Sequence, residues 1–139
     1  MRKQDLSTYL GLLMVAVVSG CTLGATDEGG SSCPPDEEAF EQKVLTPVLS
    51  GRCASCHSAA GIAKNTGFVL DAKDVTASLD AAVAMAKKKV DGTPVLLAKP
   101  TGGTSHGGGA LVAVSSAEYK TLESFVDQVL GTPGACDAR

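Results

Sequence analysis

The sequence predicts an all-α domain, and three observations carry that prediction. Apolar residues recur at helical spacing in three separate stretches, helix start and stop signals flank those stretches, and no segment alternates apolar with polar residues as a half-buried strand would. With 139 residues the chain has room for one domain once its N-terminal leader is set aside. The expected organisation is a leader over 1–20, a flexible tether over 21–32 and a folded part over 33–139.

The leader is read from charge and apolar length. Arg2 and Lys3 precede an apolar run from Leu10 to Val18, too short to span a bilayer and suited to a signal-peptide core. The run closes in Val18-Ser19-Gly20-Cys21, which resembles a bacterial lipobox, so Cys21 is the expected lipidation site and first mature residue. Ordinary cleavage near an unmodified Cys21 is the alternative. Thr22, rather than an acid, follows Cys21 and is compatible with sorting to an outer membrane. Residues 22–32 are rich in Gly, Ser, Thr and acid and carry little apolar mass, as a tether requires.

In the folded part, Pro34-Pro35-Asp36-Glu37-Glu38 opens the first helix, with proline and carboxylates suited to a helix N-terminus. Phe40, Val44, Leu45 and Val48 form its apolar face, and Pro47 predicts that it ends by Thr46 or kinks there. Cys53-Ala54-Ser55-Cys56-His57 follows almost directly. Residues 58–67 read as a loop, and Phe68-Val69-Leu70 as a short apolar patch belonging to a ligand edge or to ordinary core. The second helix is expected over Asp74–Val90 with Leu79, Val83, Ala86 and Val90 as its stripe. Lys87, Lys88 and Lys89 then sit in its last turn, as a solvated helix end or a docking patch. After the apolar Val95-Leu96-Leu97 comes a loop in which five glycines surround His106. Such a backbone can pass close to a ligand, but it matches neither a P-loop nor a dinucleotide fingerprint. The third helix is expected over Ser115–Leu130, with Ser115 and Glu118 as capping box, Tyr119, Leu122, Phe125, Val126 and Val129 as stripe, and Gly131 and Pro133 as stop.

Cys53-Ala54-Ser55-Cys56-His57 is the stretch that carries chemistry, because C-x-x-C-H is the c-type haem attachment signature. Two thiols at that spacing add across the two vinyl groups of one porphyrin as thioethers, and the adjoining His57 turns its imidazole to the iron. A thioredoxin-like site would need a βαβ pattern, which the sequence lacks. Zinc held by Cys53, Cys56, His57 and His106 stays open, although a Cys and the residue directly after it are awkward ligands to one tetrahedral ion. An export signal favours haem, since covalent haem c is attached outside the cytoplasm.

Charge and cysteine count narrow the rest. Removing residues 1–20 leaves ten basic against fourteen acidic residues, which argues against nucleic acid as a partner. With Cys21, Cys53 and Cys56 assigned, Cys33 and Cys136 are left near the two ends of the folded part, and a disulfide between them is expected in an oxidising compartment. Such a bridge closes a loop of roughly 100 residues, for which the chain-entropy estimate is about 4–5 kcal/mol.

The order helix, C-x-x-C-H, loop, helix, Gly-rich His loop, helix resembles the class I monohaem cytochrome c fold over residues 34–131. Lys99-Pro100-Thr101-Gly102-Gly103 through His106-Gly107-Gly108-Gly109 is similar to a segment of planctomycete-type cytochrome c domains in exported bacterial proteins. The resemblance implies a small helical domain wrapped around one covalently bound haem c, with a distal ligand from the loop before the last helix. That ligand is usually Met, and here the sequence departs: mature Met85 lies inside the second helix, about 120° off the expected stripe at 100° per residue. His106 stands 49 residues after His57, in the distal-loop position. Bis-histidine ligation by His57 and His106 is therefore expected, with Met85 as the alternative distal ligand and Ser105 or a backbone carbonyl orienting the imidazole. Two histidines would give a lower potential than His/Met and leave no open axial site. The implied function is non-enzymatic one-electron transfer to redox partner proteins by a lipid-anchored periplasmic cytochrome. Competing readings are a haem enzyme or gas sensor with an open distal site, and a haem-free lipoprotein stapled by zinc or a disulfide.

Overall fold

A computed structural model describes residues 35–132. The expectations for the signal peptide, the Cys21 lipid site, the tether and the Cys33–Cys136 bridge lie outside the described residues. Within them the chain is predominantly helical, as expected.

Asp36 caps α1 (Glu37–Phe40), its side chain accepting from the Ala39 N–H at 2.7 Å. The helix does not end at Thr46. It continues as a π-helical segment over Glu41–Leu49 and then as α2 (Ser50–Arg52), with the Ser50 N–H reaching back to the Leu45 carbonyl. Proline brings no N–H and its ring crowds the carbonyl four residues earlier; widening the helix relieves that crowding without breaking the element. Pro47 is thus absorbed rather than used as a stop. Phe40, Val44, Leu45, Val48 and Leu49 are buried along this segment.

Cys53 separates α2 from α3 (Ala54–His57), and the expected loop follows. Asp74 caps α4 (Val75–Lys87), accepting from the Ala77 N–H at 2.9 Å. The helix ends three residues earlier than expected, and its inward stripe is Ser78, Ala82 and Ala86, flanked by partly buried Val75, Leu79 and Met85. By helical geometry Met85 is only about 60° from the centre of that stripe, so it belongs to the inner face. The buried Ser78 hydroxyl accepts from the Asp71 N–H at 2.8 Å and donates to the Asp71 carbonyl at 2.9 Å, clamping the preceding loop to the helix.

Against expectation, a short antiparallel pair follows, β1 (Lys89–Val90) with β2 (Thr93–Pro94), Val90 opposite Thr93. Asp91 and Gly92 turn between them with φ of 48° and 78°, the Asp-Gly conformation of a two-residue hairpin. Val95–Ala98 forms α5 and buries Leu96, Leu97 and Ala98. Ser116, not Ser115, caps α6 (Ala117–Leu130) by accepting from the Tyr119 N–H at 3.1 Å, and Gly131 ends it. The core forms where the π-helical segment, α4 and α5 meet α6. Phe40, at the end of α1, packs on Phe125 of α6, with ring centroids 5.4 Å apart. These helices leave a cleft between α2–α3 on one side and the loop after α5 on the other.

Candidate functional site

The C-x-x-C-H stretch is a single helical turn: the Cys53 carbonyl accepts from the N–H groups of Cys56 (3.1 Å) and His57 (2.9 Å). The loop after it folds back onto the turn. Ala63 N–H donates to the Cys56 carbonyl at 2.9 Å, and Gly61 passes so close that a Cβ there would lie 2.1 Å from the Cys56 oxygen. His57 is gripped at both ends. Its carbonyl accepts from Leu70 N–H at 2.6 Å, and its Nδ1 lies 2.9 Å from the Phe68 carbonyl. A carbonyl can only accept, so Nδ1 carries the proton and Nε2 keeps its lone pair. The Phe68 ring also lies against the imidazole, centroid to centroid 4.9 Å. The apolar patch Phe68–Leu70 is thus both core and support for His57.

The Gly-rich loop does the same for His106. The His106 carbonyl accepts from Gly109 N–H at 2.8 Å, and His106 Nδ1 lies 3.0 Å from the Gly109 carbonyl, so the imidazole is held by its own tight turn with Nε2 again free. A side chain at Gly108 would meet the ring at 3.3 Å. The Pro100 carbonyl accepts from Leu111 N–H (2.8 Å) and Val112 N–H (3.0 Å), closing the loop at its base. Lys99 Nζ donates to the Ser105 carbonyl, next to His106. Among the described residues no hydrogen bond engages Nε2 of either histidine.

The two imidazoles face one cleft, ring centroids 6.1 Å apart and planes within 16° of parallel. The cleft measures about 460 Å³, within the usual range for a small-molecule or cofactor pocket. Leu49, Phe68, Leu96, Leu111 and Leu122 give it apolar walls, and Cys53, Cys56, His57, His106 and Met85 all border it. Burial, and secondarily the neighbouring Cys56, pushes the Cys53 thiol up to about 11. Among the described residues no group of three or more His, Cys, Asp or Glu converges as a metal cage. The four residues considered for zinc thus border one cleft without closing on one point.

Arg52, just before the motif, pairs with Glu118 at 2.9 Å and ties it to the first turn of α6. The Glu118 carboxyl is held below its ordinary value by its own backbone N–H, then by Arg52 and Ser116. Sequence reasoning missed the Phe68 and Gly109 carbonyls, which are backbone groups and leave no residue-type signal. It also missed Lys88 and Lys99 on the cleft wall. Comparison with protein-family models, with curated proteins and with solved structures finds no match to this chain.

Proposed function

We propose that this chain is a lipid-anchored monohaem c-type cytochrome that carries one electron at a time in the bacterial cell envelope, with His57 and His106 as the axial ligands. The observation that carries the reading is the pair of imidazoles across the cleft beside the Cys53–Cys56 turn. Both are oriented through Nδ1 by backbone carbonyls and separated by 6.1 Å. Haem iron, when bound, takes up and returns a single electron, at a potential set largely by its axial ligands.

The residues present fit that group. Cys53 and Cys56 lie one helical turn apart and both border the cleft, where their thiols would hold the porphyrin. His57 and His106 present nitrogen lone pairs, and the carbonyls of Phe68 and Gly109 fix the tautomers and raise ligand basicity. The apolar walls would shield a bound macrocycle from water. Met85 borders the same cleft, which keeps His57/Met85 ligation as a second reading.

The envelope location rests on residues 1–21. The Cys33–Cys136 disulfide remains a proposal from the cysteine count and the oxidising compartment.

Expression with a c-type maturation system, followed by intact mass under denaturing conditions, tests the reading. One covalently retained haem is expected, and its covalent retention should be lost in the Cys53→Ser, Cys56→Ser double variant. A wild-type chain that leaves maturation without haem refutes the proposal.

A further inference from the structure

The cleft is lined by three cations, Arg52, Lys88 and Lys99, and by no carboxylate, in a chain with 15 Asp+Glu against 12 Lys+Arg. An acidic protein that keeps acids off one apolar cleft is shaped for a ligand that is itself apolar and anionic. Arg52 is already compensated by Glu118 at 2.9 Å. Among the described residues neither lysine has a carboxylate within ion-pair distance. The Lys87–Lys89 run is not one patch. Lys87 ends α4 and Lys89 begins β1, while Lys88 leaves the helix in extended backbone at the cleft edge. Lys99 spends one ammonium N–H on the Ser105 carbonyl and keeps two for another acceptor.

We infer that Lys88 and Lys99 form an anion subsite that takes the propionate carboxylates of the tetrapyrrole, and that Lys99, through Ser105, also positions the loop carrying His106. The inference rests on the haem reading above. A carboxylate at the rim of an apolar cleft needs a charged or hydrogen-bonding partner. Among the described residues lining the cleft, Lys88 and Lys99 are the cations with no carboxylate partner. Their charge also bears on the potential: a cation near the iron disfavours the ferric state, so its removal lowers the midpoint.

The test compares midpoint potentials of the matured holoprotein with those of its Lys88→Met and Lys99→Met variants, with intact mass confirming the covalent haem in each. Both Met variants are expected to fall below wild type, and Lys88→Arg and Lys99→Arg to stay at the wild-type value. Lys99→Met alone should in addition bind added imidazole roughly tenfold more tightly in the ferric state, the equivalent of one lost charge-assisted hydrogen bond on the His106 loop. An unchanged potential in either Met variant with haem attached overturns the subsite. So does an Arg variant that falls as far as its Met counterpart. Lys88 is exposed, so its variants fold and carry the test even if Lys99 proves structural. A wild-type chain without covalent haem removes the parent reading and this inference together.

Discussion

Replacing Gly61 with Ala places a methyl group where the backbone of the motif already is. The added Cβ would lie 2.1 Å from the Cys56 carbonyl oxygen and 2.6 Å from its carbon, with the Ser58 nitrogen at 3.1 Å. None of these is a side chain that can swing aside, so the loop must lift off the turn. Lifting it breaks the Ala63 N–H to Cys56 carbonyl bond at 2.9 Å, worth about 0.5–1.5 kcal/mol net. The overpacking itself costs about 1–3 kcal/mol. Together they give an expected loss of roughly 2–4 kcal/mol, or about 10–20 °C in Tm for a domain of this size. Gly51, in α2 with nothing within 4 Å of an added Cβ, is the matched control. Gly51→Ala should gain about 0.4–1 kcal/mol, because alanine loses less conformational freedom on folding. Urea unfolding followed by far-ultraviolet circular dichroism reads both. A Gly61→Ala protein within 0.5 kcal/mol or so of wild type would refute the packing of the loop against the motif.

Other consequences are equally open to measurement. Ser78→Ala removes the hydroxyl that satisfies both the N–H and the carbonyl of Asp71, and a loss of about 1–3 kcal/mol is expected by the same urea assay. In the reduced, haem-free chain Cys53 stays a thiol well above neutral pH because burial and Cys56 raise it to about 11. Iodoacetamide at pH 8 should therefore label Cys53 slowly, as peptide mapping over time would show. The Glu118 carboxyl titrates below its ordinary 4.5, so its contribution to stability is complete above that value and fades as pH falls through the lower folded value. Accordingly, the stability difference between wild type and Glu118→Gln, followed by thermal melts, should shrink as the solution is taken below pH 4.5.

The helices were legible where one physical rule acted alone. Asp36 and Asp74 at helix starts, Gly131 at the last stop and the Leu122–Phe125–Val129 stripe are local signals, and tertiary packing leaves them unchanged. Pro47 does not end the helix, because a proline can be accommodated by widening a helix that the core holds on its buried face. The stripe of α4 was misplaced because its innermost positions are small, Ser78, Ala82 and Ala86, and a hydrophobicity reading favours the larger flanking residues. The Asp91–Gly92 hairpin did carry a sequence signal, but two-residue strands are too short to alternate. At the site, residue types and spacing pointed to Cys53, Cys56, His57 and His106. How close the two imidazoles come is a tertiary property, fixed by the Phe68 and Gly109 carbonyls and by the Pro100 clamp on the distal loop.

The measurement that bears most directly on the central claim is the optical spectrum of the matured protein, oxidised and reduced. His57/His106 ligation predicts a low-spin c-type spectrum in both states, without the weak far-red band of a methionine–iron bond, and a high-spin ferric component in His106→Ala. A far-red methionine band would put Met85 on the iron instead, a high-spin wild-type spectrum would mean an open distal site, and either would contradict the bis-histidine account.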